Sequence, residues 1–85
     1  MRESAKDRSQ KYIQKTSESL RRLKIRELPA APSEQQMNYV LDSVRSYLKD
    51  AKHYSEKRKP VTSLACIAYA EGLLDAMKFL GTVDF

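Results

Sequence analysis

The stretch VTSLACIAYAEGLLDAMKFLG, residues 61 to 81, decides the fold of this chain. Val61, Leu64, Ala65, Ile67, Ala68, Leu73, Leu74, Ala76, Met77, Phe79 and Leu80 place apolar side chains on nearly every side of a helix. Only Ser63, Glu71, Asp75 and Lys78 form a narrow polar stripe. A helix that is hydrophobic on most of its surface must be covered from more than one direction. The segment is therefore predicted to be the central helix, with its neighbours packed against it. Pro60 suits the first turn of this helix, and Gly81 suits the left-handed residue that commonly follows a last turn.

Working outward, Ser33 with Gln36 three positions on matches a capping box, so a second helix is predicted to start there. Met37, Val40, Leu41, Val44, Leu48 and Ala51 keep a helical period, with Tyr47 and Tyr54 flanking. Asp42, Arg45, Lys49, Asp50, Lys52, His53 and Glu56 fall on the other face. The run Glu56-Lys57-Arg58-Lys59 before Pro60 ends this helix, since basic side chains suit a helix C-terminus. Further upstream, Ser9, Ile13, Thr16, Leu20 and Leu23 recur at steps of four and three, with Tyr12 beside them. That seam is thin and partly polar, so the first helix must borrow stability from packing. Leu28-Pro29-Ala30-Ala31-Pro32 ends it, because each proline disfavours helix in the residue before it. The expectation is one domain over residues 1–85, an all-α three-helix bundle with helices at about 3–28, 33–57 and 60–80 and a tail at 81–85. A proline-containing loop and a short basic turn join the helices. No internal repeat, low-complexity tract or strand-like alternation is visible.

Composition narrows the class. With 85 residues, 41% hydrophobic and 32% charged, and only two Gly and three Pro, the chain reads as an ordered single domain. One cysteine, Cys66, cannot form an internal disulfide, and with the lone His53 it cannot complete a zinc site. No stretch approaches a membrane span, and the opening MRESAKDRSQ lacks the apolar core of a signal peptide. A cytoplasmic protein without membrane association is expected. Residues 1–28 hold nine basic against four acidic residues, which accounts for the whole net charge of +5. Lys11, Lys15 and Arg22 share roughly one side of the first helix, with Arg8 and Lys24 near their row and Glu18 interrupting it; Lys11, Lys15, Arg21 and Arg22 form the candidate basic patch. This basic stretch reads either as a solvated face or as a footprint for nucleic acid or anionic lipid.

Familiar catalytic arrangements are missing. Nucleophilic catalysis needs a nucleophile with a positioned base; the lone His53 is expected in solvent and Cys66 among apolar neighbours, where a thiol is inert. There is no phosphate-binding glycine loop. No catalytic residue, cofactor or bound metal is expected, and the chain does not read as an enzyme. The polarity to be explained is at Glu71 and Asp75, whose spacing of four sets like charges side by side at a cost of a few tenths of a kcal/mol. Pairing with Lys78, with basic groups of the first helix or with water would compensate; the alternative is a site for a cation or basic partner. Gly72 between them costs about 1 kcal/mol inside a helix relative to Ala and points to close approach of another helix or a ligand. With Tyr69 nearby, Tyr69, Glu71, Gly72 and Asp75 form the candidate interaction surface. The five tyrosines read as core edges or a protein interface, or as stacking platforms for single-stranded nucleic acid.

The 47–81 stretch YLKDAKHYSEKRKPVTSLACIAYAEGLLDAMKFLG resembles a small archaeal helical family catalogued as domain of unknown function 357. AYAEGLLDA at 68–76 carries most of the likeness and LRRLKI at 20–25 adds to it. The turn before the third helix departs from the family's usual Gly-Asp, reading Arg58-Lys59-Pro60. The resemblance implies a compact three-helix domain and adds no active site. The hairpin of the second and third helices is also similar to a tetratricopeptide unit or a HEPN-type domain. A single hairpin does not make a solenoid, and Ser46, Tyr47 and Leu48 supply no Arg for the HEPN nuclease motif around His53. Two readings follow: a non-catalytic protein-interaction or self-association module, or an accessory RNA binder using the basic first helix. A homodimer is expected, because Ile67, Leu73, Phe79, Val83, Phe85 and five tyrosines exceed what so short a chain can cover. The thin seam of the first helix is expected to pack across the two-fold axis with the tail Val83 to Phe85 beside it.

Overall fold

The computed structural model describes residues 4–26 and 32–85. Ser4 opens the first helix, its hydroxyl accepting the Asp7 amide at 3.1 Å, and α1 runs Ala5–Arg22. It stops short of the expected 28: Leu23 turns extended, and Lys24–Ile25 form a strand, β1. Residues 3, 27 and 28, and the loop positions up to Ala31, lie outside the described residues. The second helix, α2, spans Glu34–Glu56 behind the capping box that Ser33 and Gln36 predicted. The Gln36 amide donates to the Ser33 hydroxyl at 3.1 Å, and the Ser33 amide donates to Gln36 Oε1 at 2.9 Å. The third helix, α3, spans Pro60–Phe79 with proline in its first turn, and Gly81 takes φ 75°, the left-handed closing role foreseen for it.

The tail does something the sequence reading missed. Val83–Asp84 form a second strand, β2, pairing antiparallel with β1 in the register Lys24 to Asp84 and Ile25 to Val83. The Arg26 amide extends the ladder to the Thr82 carbonyl at 2.9 Å, and an Arg26–Asp84 ion pair at 3.1 Å lies over it. Two residues are too few to display a period-two pattern, so no alternation announces this clasp. Val83 is buried beneath it.

Ile67, Ala70, Leu74 and Met77 of α3 meet Met37, Leu41, Val44, Leu48 and Ala51 of α2 in the core. On its other side α3 carries α1, while α1 and α2 touch each other over a smaller contact. The third helix is thus central, as its composition requires. The bundle extends 45 × 24 × 17 Å, and one side of α3 stays uncovered, since Val61, Ala65, Ala68, Gly72, Ala76 and Phe79 are all exposed.

Two expectations need correction. Ser63, read as part of the solvent stripe, is completely buried where the three helices meet. Its hydroxyl donates to the Ala51 carbonyl of α2 at 2.6 Å. Having one proton, it must then receive the hydroxyl of the equally buried Ser9 of α1, to which it is also hydrogen-bonded. The seam of α1 faces inward: Ser9, Thr16 and Ser19 are buried, and Tyr12, Ile13, Leu20 and Leu23 pack on the core. The seam and Val83 are occupied within one chain, so neither can form the two-fold contact expected of them. The small side chains let α1 settle close to α3, which is why a seam poor in large residues suffices.

At the turn into α3, Arg58 holds φ 60°. A side chain there costs roughly 1–2 kcal/mol that glycine avoids. Arg58→Gly is expected to raise stability by about 1 kcal/mol after the added freedom of the unfolded chain is subtracted. Urea denaturation checks it, and a lower midpoint would mean that the Arg58 side chain contributes more than its backbone costs.

Candidate functional site

The uncovered side of α3 is built from Val61, Ala65, Ala68, Gly72, Ala76 and Phe79, which recur at steps of three and four and so lie in one row. All six are exposed. Val61 is 72% exposed, Phe79 83%, and the neighbouring Leu80 and Tyr69 75% and 53%. The helix therefore has large apolar side chains at both ends and small ones along its middle. A helical period of apolar residues marks a face that seeks cover, and it is the same whether the cover comes from this chain or another. For that reason the sequence alone could list Phe79 among the surplus yet not name Val61, Ala65, Ala68 and Ala76 as one surface.

Gly72 sits on the crest of this row. A Cβ placed there would meet nothing within 4 Å, so no helix of this chain approaches it, contrary to the close packing its presence suggested. Gly72→Ala is accordingly expected to stabilise the single chain by about 1 kcal/mol through helix propensity and reduced unfolded-state freedom. Thermal melting in dilute solution checks this; a fall in the midpoint would place a neighbour against Gly72.

The four residues singled out from the sequence divide between the flanks of the row. Tyr69 leans toward α2, its ring centroid 4.4 Å from that of Tyr47 with the planes tilted by 37°. Tyr39, Val40, Ser43 and Leu73 complete a groove of about 330 Å³ around this pair. Glu71 leans toward α1, where Lys15 reaches it at 3.3 Å. Of the three compensations the carboxylate spacing left open, this is the one from the first helix. Lys15 is largely solvated, so the pair is worth well under 1 kcal/mol, enough to offset the repulsion from Asp75. Asp75 is exposed, and Lys78 at the end of the same flank lies 4.7 Å over the ring of Phe85. Tyr69, Glu71, Gly72 and Asp75 thus border one surface without converging on a pocket. Among the described residues no three His, Cys, Asp or Glu side chains gather to hold a metal ion.

The remaining candidates are dispersed. Lys11, Lys15, Arg21 and Arg22 are all exposed along α1, and Lys15 is drawn toward Glu71. Cys66 is half-buried; burial first, and the negative charge of Asp50 second, push its thiol above the ordinary range, so it stays protonated at neutral pH and is a poor nucleophile. His53 is exposed with its ring edge-on to Tyr54 at 5.2 Å.

These features define a small all-α bundle whose distinctive surface is one apolar helix face. Residues 11–83 match the family model described as Protein of unknown function (DUF357), and since the match covers most of the chain, the protein belongs to that family. No curated protein and no solved structure matches it. Among the described residues no helix is long and apolar enough to cross a membrane.

Proposed function

We propose that this protein is a non-catalytic helical interaction module that self-associates in the cytoplasm through the outer face of α3. One observation carries the reading: Val61, Tyr69 and Phe79 of a single helix, and Leu80 that caps its end, stand in water, joined by a row of small residues. Scattered apolar residues need no explanation, but a continuous apolar face marks a contact surface. Tyrosines in a groove beside it are the residue type enriched at such contacts. A catalytic role has no support in a protonated Cys66 and a solvated His53.

Light scattering after size exclusion tests the reading. The mass is expected to rise from 9.8 kDa toward twice that value as concentration increases to tens of micromolar. A constant 9.8 kDa would overturn self-association and send the face to a different protein. RNA binding by α1 is the weaker reading, since Glu18 breaks the basic row and Glu71 engages Lys15. It would require binding that weakens steeply with salt, with a slope flattened by charge reversal at Arg21 and Arg22.

A further inference from the structure

We infer that the face of α3 is covered by α3 of a second copy lying antiparallel to it, the two-fold axis passing between the two helices at the level of Ala70 along the chain. Ala68 of one protomer would then meet Gly72 of the other, and Val61 would meet Phe79. The inference rests on the self-association reading above and specifies its geometry.

Size along the face comes first. Two packed helices approach most closely where they cross and diverge toward their ends. Ala68 and Gly72 at mid-helix allow that close approach, while Val61 near the start and Phe79 at the end fill the widening gap. The crossing also accounts for Gly72, a residue with a cost in helix propensity that no contact within the chain explains. Beside the axis, the Tyr47–Tyr69 pairs of both copies come to the same side and extend the contact.

Charge then selects the direction. Lys57, Arg58 and Lys59 stand exposed immediately before α3, at the positive end of its dipole. A parallel pair would bring both basic turns together. An antiparallel pair separates the turns by the length of α3, about 30 Å for 20 residues, and places each near the negative end of the other helix. That separation is several times the screening length of about 8 Å at physiological salt. Lys78, which would otherwise add a like charge near the partner's basic turn, is directed to Phe85 on the α1 flank.

Area sets the strength. The exposed apolar side chains of the face offer on the order of 500 Å² per copy, or about 1,000 Å² in all, the lower end for specific interfaces. A dimer that exchanges with a micromolar dissociation constant is expected.

Disulfide trapping in a Cys66→Ala background tests the direction. Ala65→Cys and Ala76→Cys chains mixed together should link under mild oxidation, and neither should link alone, because like positions lie about 15 Å or more apart along the antiparallel pair. Self-linking by Ala65→Cys alone would mean a parallel pair and overturn the inference. A dimeric mass by light scattering without a mixed disulfide would move the interface elsewhere, overturning the geometry and leaving self-association intact. A monomeric mass for the unmodified protein would overturn both. Gly72→Gln provides a check that misfolding cannot mimic: its melting midpoint should equal or exceed that of the parent, while the dimer dissociation constant rises at least tenfold. An unchanged dissociation constant would remove Gly72 from the crossing.

Discussion

Replacing Ile67 with alanine is expected to lower stability by about 3–4 kcal/mol, the middle of the range of about 2–5 for such truncations. Ile67 is fully buried on α3 within the core that α2 and α3 build together. Its lost methyl groups leave a cavity that helices held by a hydrogen-bonded junction and a strand clasp are poorly able to collapse. A domain of this length has about 4–13 kcal/mol in total, so the variant should be marginal at 37 °C. Urea denaturation should show the midpoint falling by roughly 3 M if the slope is about 1 kcal/mol per molar. Ile67→Val should lose only about 1 kcal/mol. A loss below 1 kcal/mol for the alanine variant would mean that α3 is not clamped on both sides.

Ser63→Leu should be comparably damaging, at about 3 kcal/mol. The larger side chain has to enter the point where Ser9 of α1, Ala51 of α2 and Ser63 of α3 meet, each of them buried. Overpacking alone costs about 1–3 kcal/mol. The Ser9 hydroxyl, which donates to Ser63, would also be left without an acceptor in a dry site, at about 1–3 kcal/mol. Ser63→Ala should cost less, about 1–2 kcal/mol, and adding Ser9→Ala should return part of that loss, since the second change removes the stranded donor. The two substitutions should therefore be non-additive when measured by chemical denaturation. Neutral behaviour of Ser63→Leu would place this position in solvent.

Ser63 shows where sequence reading fails. Hydrophobic periodicity assigns polar residues outward, and nothing in α3 itself distinguishes a serine facing water from one facing another hydroxyl. The partner is Ser9, 54 positions away, which the sequence did place in the seam of α1. Features written locally were legible: the capping box at Ser33 and Gln36, proline at the start of α3, Gly81 after its end, and an apolar α3 lying between its neighbours. At the candidate surface, the Glu71–Asp75 repulsion left Lys78, a cation of α1 or water open as compensation, and Lys15 of α1 is the one that pairs with Glu71. Gly72 was legible as an anomaly but not in its placement, because a close approach leaves the same mark whichever chain provides it. The inward orientation of the α1 seam depended on Ser9 and Thr16 being small enough to bury. Such burial is decided by the fit of one helix against another, not by residue hydrophobicity.

The β1–β2 clasp also bears on the order in which the chain assembles. Helices α2 and α3 are neighbours in sequence, joined by a turn of a few residues, so their contacts close short loops and can form early. The Arg26–Asp84 pair joins positions 58 apart. Closing a loop of that length costs about 3.6 kcal/mol of chain entropy when nothing else has folded. Once the hairpin exists, most of that distance is already spanned, and the clasp needs only to dock α1 with the tail. Stabilising interactions at Ile25 and Val83 are consequently late: changes there should leave the folding rate nearly untouched and appear almost wholly in the rate of unfolding. A two-residue ribbon at the edge of an all-helical protein thus governs how long the assembled bundle lasts more than how quickly it forms.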